Sequence, residues 1–151
     1  MQIPIFLHVL GVTVWVGGMF FAYVCLRPAA ALLLEPPQRL RLWDGTFGRF
    51  FPWVWVAVAF ILMSGFYMIW LMGGFADAPH HVHVMLLLGV AMTLIFAFVY
   101  FAPYRRLRRF VAAQDWKQAG AALGQIRKLV GVNLTLGILT ITVGTLGPLF
   151  F

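Results

Sequence analysis

Long apolar runs alternate with short basic stretches along this chain. Four runs, roughly residues 3–26, 50–76, 82–104 and 129–151, contain no Asp, Glu, Lys or Arg. Each meets the length of about 20 residues that a helix needs to cross a hydrocarbon core. Lipid offers the backbone no hydrogen-bond partner, so such a run must close its own bonds as a helix. The pattern therefore predicts an all-α protein: an integral membrane four-helix bundle, with residues 1–151 forming a single domain of four transmembrane helices.

Composition supports this and removes alternatives. Apolar residues make up 63% and charged residues 10% of the chain, which excludes an ordinary soluble domain. The net charge of +7 would suit a nucleic-acid binder, but its distribution argues otherwise. Arg27, Arg39, Arg41 and Arg49 lie between the first and second runs. Arg105, Arg106, Arg108, Arg109, Lys117, Arg127 and Lys128 lie between the third and fourth. The connection 73–81 carries no Lys or Arg, and neither does either terminus. Basic loops stay on the cytoplasmic side of a membrane. Both termini and the 73–81 loop are therefore expected on the outer, periplasmic side of a bacterial inner (cytoplasmic) membrane, in a multi-pass protein. Membrane lipid is the expected partner of the basic loops, and nucleic acid is not.

The first run lacks the positive charge that opens a signal peptide and is longer than its apolar segment, so it is expected to stay in the mature protein. The single cysteine, Cys25, has no partner for an internal disulfide and reads as a packing residue.

The inner connections also read as helical. Residues 29–35 are good helix formers that stop at Pro36-Pro37, and 38–49 feeds into the second run, where Pro52 is free to kink the first turns. Asp115 with Gln118 three residues later has the form of a capping box. The basic segments thus extend the first, third and fourth spans as partly amphipathic helices.

Against this background the histidines stand out. All four lie at the edge opposite the arginines: His8 in the first run, and His80, His81 and His83 at the mouth of the third. An ionisable group at membrane depth is expensive without a partner and is by default a functional candidate. At about 1.5 Å per residue, His8 lies roughly 7 Å below the outer boundary, and His83 enters the antiparallel third span at similar depth. Two imidazoles on different helices at matched depth suit the iron of a b-type haem. His8 with His83 is the leading pair, and His80 shares a helical face with His83. His81 is expected to face water. For His8 the plainer reading is a neutral imidazole hydrogen-bonded to Thr13, Ser64 or Asn133.

Gly11 and Gly18, one heptad apart, and likewise Gly137 and Gly144, read first as close helix contacts. Gly11 and Gly18 would also leave room for a flat macrocycle, with Trp15 lining its face. Asn133 reads as an interhelical hydrogen-bonding residue. The competing metal is copper. The string His81-Val82-His83-Val84-Met85 alternates nitrogen and sulfur donors, and Met85 suits Cu(I). On a helix, however, His81 and His83 point away from each other. No nucleophile arrangement, acid–base pair or phosphate loop is present. The spans lack the buried acids or arginines usual in ion-coupled transporters.

The stretch His8 to Pro28, HVLGVTVWVGGMFFAYVCLRP, resembles the first helix of small membrane proteins of the CopD-like superfamily, which includes the HemJ-like protoporphyrinogen oxidases. The opening of the third span from His83 to Leu88 resembles a HemJ segment in which a lysine follows the histidine by two residues. The resemblance implies a four-helix membrane fold and, through the HemJ branch, haem b held by His8 and His83. Met85 stands where that branch has its lysine, and Met85 carries no charge. The outer edge also lacks the Arg or Lys that haem propionates usually find.

The resulting expectation is a haem b protein with bis-histidine ligation by His8 and His83, with Gly11, Trp15 and Gly18 around it. Its work would be electron transfer as an oxidoreductase, with a quinone or a periplasmic redox partner. The alternatives are a copper-binding or copper-transporting protein using His80, His81, His83 and Met85, and a HemJ-like oxidase. A homo-oligomer is compatible with each.

Overall fold

The computed structural model describes residues 1–150, almost all of them helical, and contains no strand among them. Helix α1 (Gln2–Phe20) passes through one π-helical stretch (Phe21–Leu26) into α2 (Arg27–Leu33). After an extended pair at Leu34 and Glu35, α3 runs unbroken from Pro36 to Leu71. Helices α4 (His80–Phe101) and α5 (Pro103–Ala112) meet at Ala102, and α6 (Trp116–Leu146) ends in a 3-10 turn, Gly147–Leu149. Four helical stretches are thus long and apolar enough to cross a membrane, as the hydrophobic pattern predicts.

The boundaries differ where backbone chemistry intervenes. The second apolar run continues to residue 76, but α3 stops at Leu71 because Gly73 and Gly74 adopt φ of +102° and +99°, a region that favours glycine. Helix α4 begins at His80, with Pro79 as its capping residue. It breaks at Ala102 (φ −115°, ψ −86°), the residue before Pro103, where helical geometry is disfavoured. Gln114 takes φ +56° in the tight turn before α6. There Asp115 caps the helix by accepting a hydrogen bond from the Gln118 N–H at 3.3 Å. The predicted end of the fourth span at Phe151 lies outside the described residues.

Helix α1 packs along α3, α4 along α6, and α5 folds back over the first turns of α6. The glycines set the close contacts. Gly11 abuts Ile61 and the Ala57 carbonyl of α3, and Gly18 abuts the Phe50 ring. Gly137 faces Val16 and Met92, and Gly144 faces Met85. Small residues at such seams let helices approach where there is no hydrophobic driving force between them.

The core is concentrated toward the arginine-bearing end. Phe47 stacks on Phe51 at 4.9 Å between ring centroids, and Phe51 meets Phe96 and Tyr104 edge-on at 5.4 and 4.8 Å. Leu107 of α5 and Ile126 of α6 are fully buried beneath α5's basic face. Near mid-bundle, buried Asn133 donates from Nδ2 to the Met92 carbonyl at 3.1 Å, the interhelical bond expected of it. Toward the histidine end most large side chains point outward, among them Ile3, Phe6, Met63 and Trp70. That is the surface a lipid solvent requires.

Candidate functional site

The four histidines divide among three settings. His8, half-buried on α1, leans on α3 with Nδ1 3.1 Å from both the Ile61 carbonyl and Ser64 Oγ. A carbonyl only accepts, and the Ser64 hydroxyl donates to the Phe60 carbonyl, so His8 Nδ1 carries the hydrogen. Of the three partners open to His8 on sequence grounds, Ser64 is the one used.

His83 is exposed on α4. Its Nδ1 donates to the Pro79 carbonyl at 3.1 Å, and its ring lies 6.4 Å from Phe75. Both His8 and His83 therefore present Nε2 as the free lone pair, the tautomer found in metal-ligating histidines. They are nevertheless held by different partners, and neither lines the void beside Trp15 or the cleft beside Arg27.

His80 is exposed. His81 departs from expectation: it is half-buried rather than water-facing, and its Nδ1 is buried without a hydrogen-bond partner. The reason is the end of α6. A Cβ placed on Gly147 would fall 2.6 Å from the His81 Cβ, so only a glycine lets the 3-10 turn close over this imidazole. One turn along α4, Met85 faces the same helix, its Cε and Sδ 2.8 and 3.2 Å from a Cβ placed on Gly144. His81 and Met85 thus share one face of α4 as an i, i+4 pair against α6. His83 points elsewhere, as helical geometry requires.

The residues expected around a macrocycle are otherwise engaged. Gly11 and Gly18 receive side chains of α3. Trp15 is 3% exposed and meets Phe96 edge-on at 6.1 Å in the core. Beside it a void of only about 30 Å³ reaches Asn133, whose Oδ1 is buried and unpartnered. That volume suits a single water molecule.

Among the described residues no three His, Cys, Asp or Glu side chains converge as a metal site. The donor set at the histidine end is instead a buried imidazole nitrogen with a thioether one turn away. Sequence reasoning placed His81 and Met85 together in the copper alternative and pointed His81 away from His83, but expected His81 to face water. The cover supplied by Gly147 leaves no signal in the sequence around His81.

No curated protein and no solved structure matches the chain. Residues 44–146 match the family model described as copper resistance protein D, taking in most of α3, all of α4 and α5, and α6 to its end. His80, His81, His83 and Met85 fall within the matched residues, and His8 falls outside them. The match covers most of a chain whose helices are built to span a membrane, so this multi-pass membrane protein belongs to the copper resistance protein D family.

Proposed function

We propose that this protein handles Cu(I) at the outer end of the α4–α6 seam, with His81 and Met85 as its donors. The observation that carries the reading is the buried His81 Nδ1, which has no partner within the protein. A buried polar atom left unsatisfied costs about 1–3 kcal/mol, and a soft metal would relieve that cost. Imidazole and thioether are donors that suit Cu(I), whereas a hard dication would seek carboxylates absent from this seam. Two protein donors leave coordination positions for a carrier or an acceptor, which fits an ion in transit better than a locked structural metal. The family's description as copper resistance protein D favours the same ion. With the basic loops in the cytoplasm, this end of the bundle, and both termini, face the periplasm of a bacterial inner membrane.

The test is an anaerobic titration of detergent-purified protein with Cu(I) against a chromogenic chelator. His81→Ala and Met85→Leu should each weaken binding at least about tenfold, the range expected when a metal ligand's environment is disrupted. His8→Ala and His83→Ala should leave it unchanged. Binding that survives both His81→Ala and Met85→Leu would overturn the assignment.

A second reading, haem b between His8 and His83 with an electron-transfer role, has one observation in its favour. Both rings give Nδ1–H to backbone carbonyls and keep Nε2 free. A quinone or a periplasmic redox partner belongs to that reading, as does homo-oligomerisation if the two ligands come from two copies. A HemJ-like oxidase gains nothing further, since Met85 packs on Gly144 where that branch carries its lysine. A Soret band lost in His8→Ala would favour haem over copper.

A further inference from the structure

The opposite end of the bundle holds a cleft of about 370 Å³ bounded by the π-helical stretch, the start of α3 and the first half of α6. Its walls are chemically divided. Arg27, Arg39 and Arg127 converge on it from three different elements, while Trp43, Phe47 and Val130 line it with apolar surface.

Local structure holds this cleft open. The π-helical turn at Phe21–Leu26 inserts an extra residue into α1, and such turns are frequent at functional sites. It brings Ala22 and Tyr23 to the cavity wall. Arg27 is fixed there: its Nε donates to the Tyr23 carbonyl at 3.2 Å, and its guanidinium lies 4.4 Å from the Tyr23 ring centroid. The terminal nitrogens of that fork remain for a ligand. On the facing wall, Gly120 and Gly124 lie one turn apart on α6, and a Cβ on either would meet nothing within 4 Å. Unlike Gly11 or Gly137, these glycines relieve no contact between helices; they widen the cleft.

We propose that this cleft is a binding site for an anionic phospholipid. The phosphodiester sits among Arg27, Arg39 and Arg127, and the glycerol and first acyl carbons lie along Trp43 and Phe47. Charge complementarity selects the headgroup, because planar guanidinium forks match phosphate oxygens. The apolar wall selects an amphiphile over a free anion. The cavity is too small for a whole diacyl lipid, so the chains continue into the bilayer. The site lies at the opposite end of the bundle from His81 and Met85, and its occupancy does not depend on the copper reading.

Native mass spectrometry of the full chain, extracted in mild detergent and offered phosphatidylglycerol or phosphatidylcholine, tests this. Phosphatidylglycerol should be retained at least about tenfold better. A basic residue near an anionic lipid surface contributes about 1 kcal/mol, so Arg39→Gln and Arg127→Gln should each reduce retention about fivefold. Gly124→Leu, whose Cβ would meet nothing within 4 Å, should reduce retention without lowering the thermal midpoint. Equal retention of the two lipids, or unchanged retention in the arginine variants or in Gly124→Leu, overturns the proposal. Displacement of the lipid by millimolar inorganic phosphate would mean a free-anion site and overturns it equally.

Discussion

Gly144 and Gly147 look equivalent in sequence, yet alanine should act on them in different ways. An ordinary carbon–carbon contact is about 3.5 Å or longer. The methyl of Gly144→Ala would fall 2.8 Å from Met85 Cε, so about 0.7 Å must be found. The atom that must yield is the end of a flexible thioether with three rotatable bonds, and it can swing aside. The methyl of Gly147→Ala would fall 2.6 Å from the His81 Cβ, an atom fixed to the α4 backbone, so a helix end must move by about 0.9 Å. Gly147 also precedes Pro148 in right-handed helical geometry (φ −51°, ψ −43°), which a Cβ in that position resists. Overpacking of this kind costs about 1–3 kcal/mol. At about 2–4 °C per kcal/mol for a chain of this size, Gly147→Ala should lower the midpoint of unfolding by roughly 5 °C. Gly144→Ala should shift it by no more than about 1 °C by the same scaling. Cu(I) affinity should fall in both, because one variant displaces the sulfur and the other uncovers the imidazole. Thermal unfolding followed by tryptophan fluorescence, beside the chelator titration, separates the two effects. If Gly144→Ala proves the more destabilising, or retains wild-type copper affinity, the seam geometry assigned to His81 and Met85 is wrong.

Three other outcomes follow from the bundle. Asn133→Leu removes a hydrogen bond to Met92, worth about 0.6 kcal/mol on average in membranes, and also the unpartnered Oδ1. Thermal unfolding should therefore change little or rise, and a loss above about 2 kcal/mol would mean that a water in the adjoining void completes a network. Ser64→Ala leaves the Ile61 carbonyl as the acceptor for His8, so copper binding at the α4–α6 seam should be unaffected; a tenfold loss in the titration would place His8 in the site. Cysteines introduced at Gln114 and at Ala76 in a Cys25→Ser background should react with a membrane-impermeant thiol reagent from opposite faces. Labelling of Gln114→Cys in intact spheroplasts would reverse the orientation.

The spans were legible because lipid imposes the same rule on every residue of a crossing helix, and the absence of charge over about 20 positions is hard to produce otherwise. Asn133 and the Asp115 cap were legible for a related reason: each follows from what one polar group needs in its immediate setting. The early end of α3 at Leu71 was not foreseen, because hydropathy is blind to the backbone angles of Gly73 and Gly74. The burial of His81 was less accessible still. It depends on how closely α6 approaches α4 at Gly147, a position 66 residues away in the chain. Periodicity reports which residues share a face of one helix but not which neighbour covers it. The arginine cleft was hidden likewise: charge counting found Arg27, Arg39 and Arg127 as three topological markers, and only a turn of π-helix and two uncrowded glycines reveal that they converge.

The concentration of aromatic packing at one end gives the bundle the mechanics of a tuning fork. Phe47, Phe51, Phe96 and Tyr104 form the stem, beside the arginine-lined cleft, and the four helices leave it as tines whose side chains largely face lipid. Free energy for local opening follows buried contact, so excursions grow from stem to tip. His81 and Met85 sit toward the tip of one tine, α4, where its neighbour meets it at Gly144 and Gly147. On the copper reading, an ion entering there meets a more compliant part of the molecule than the aromatic stem.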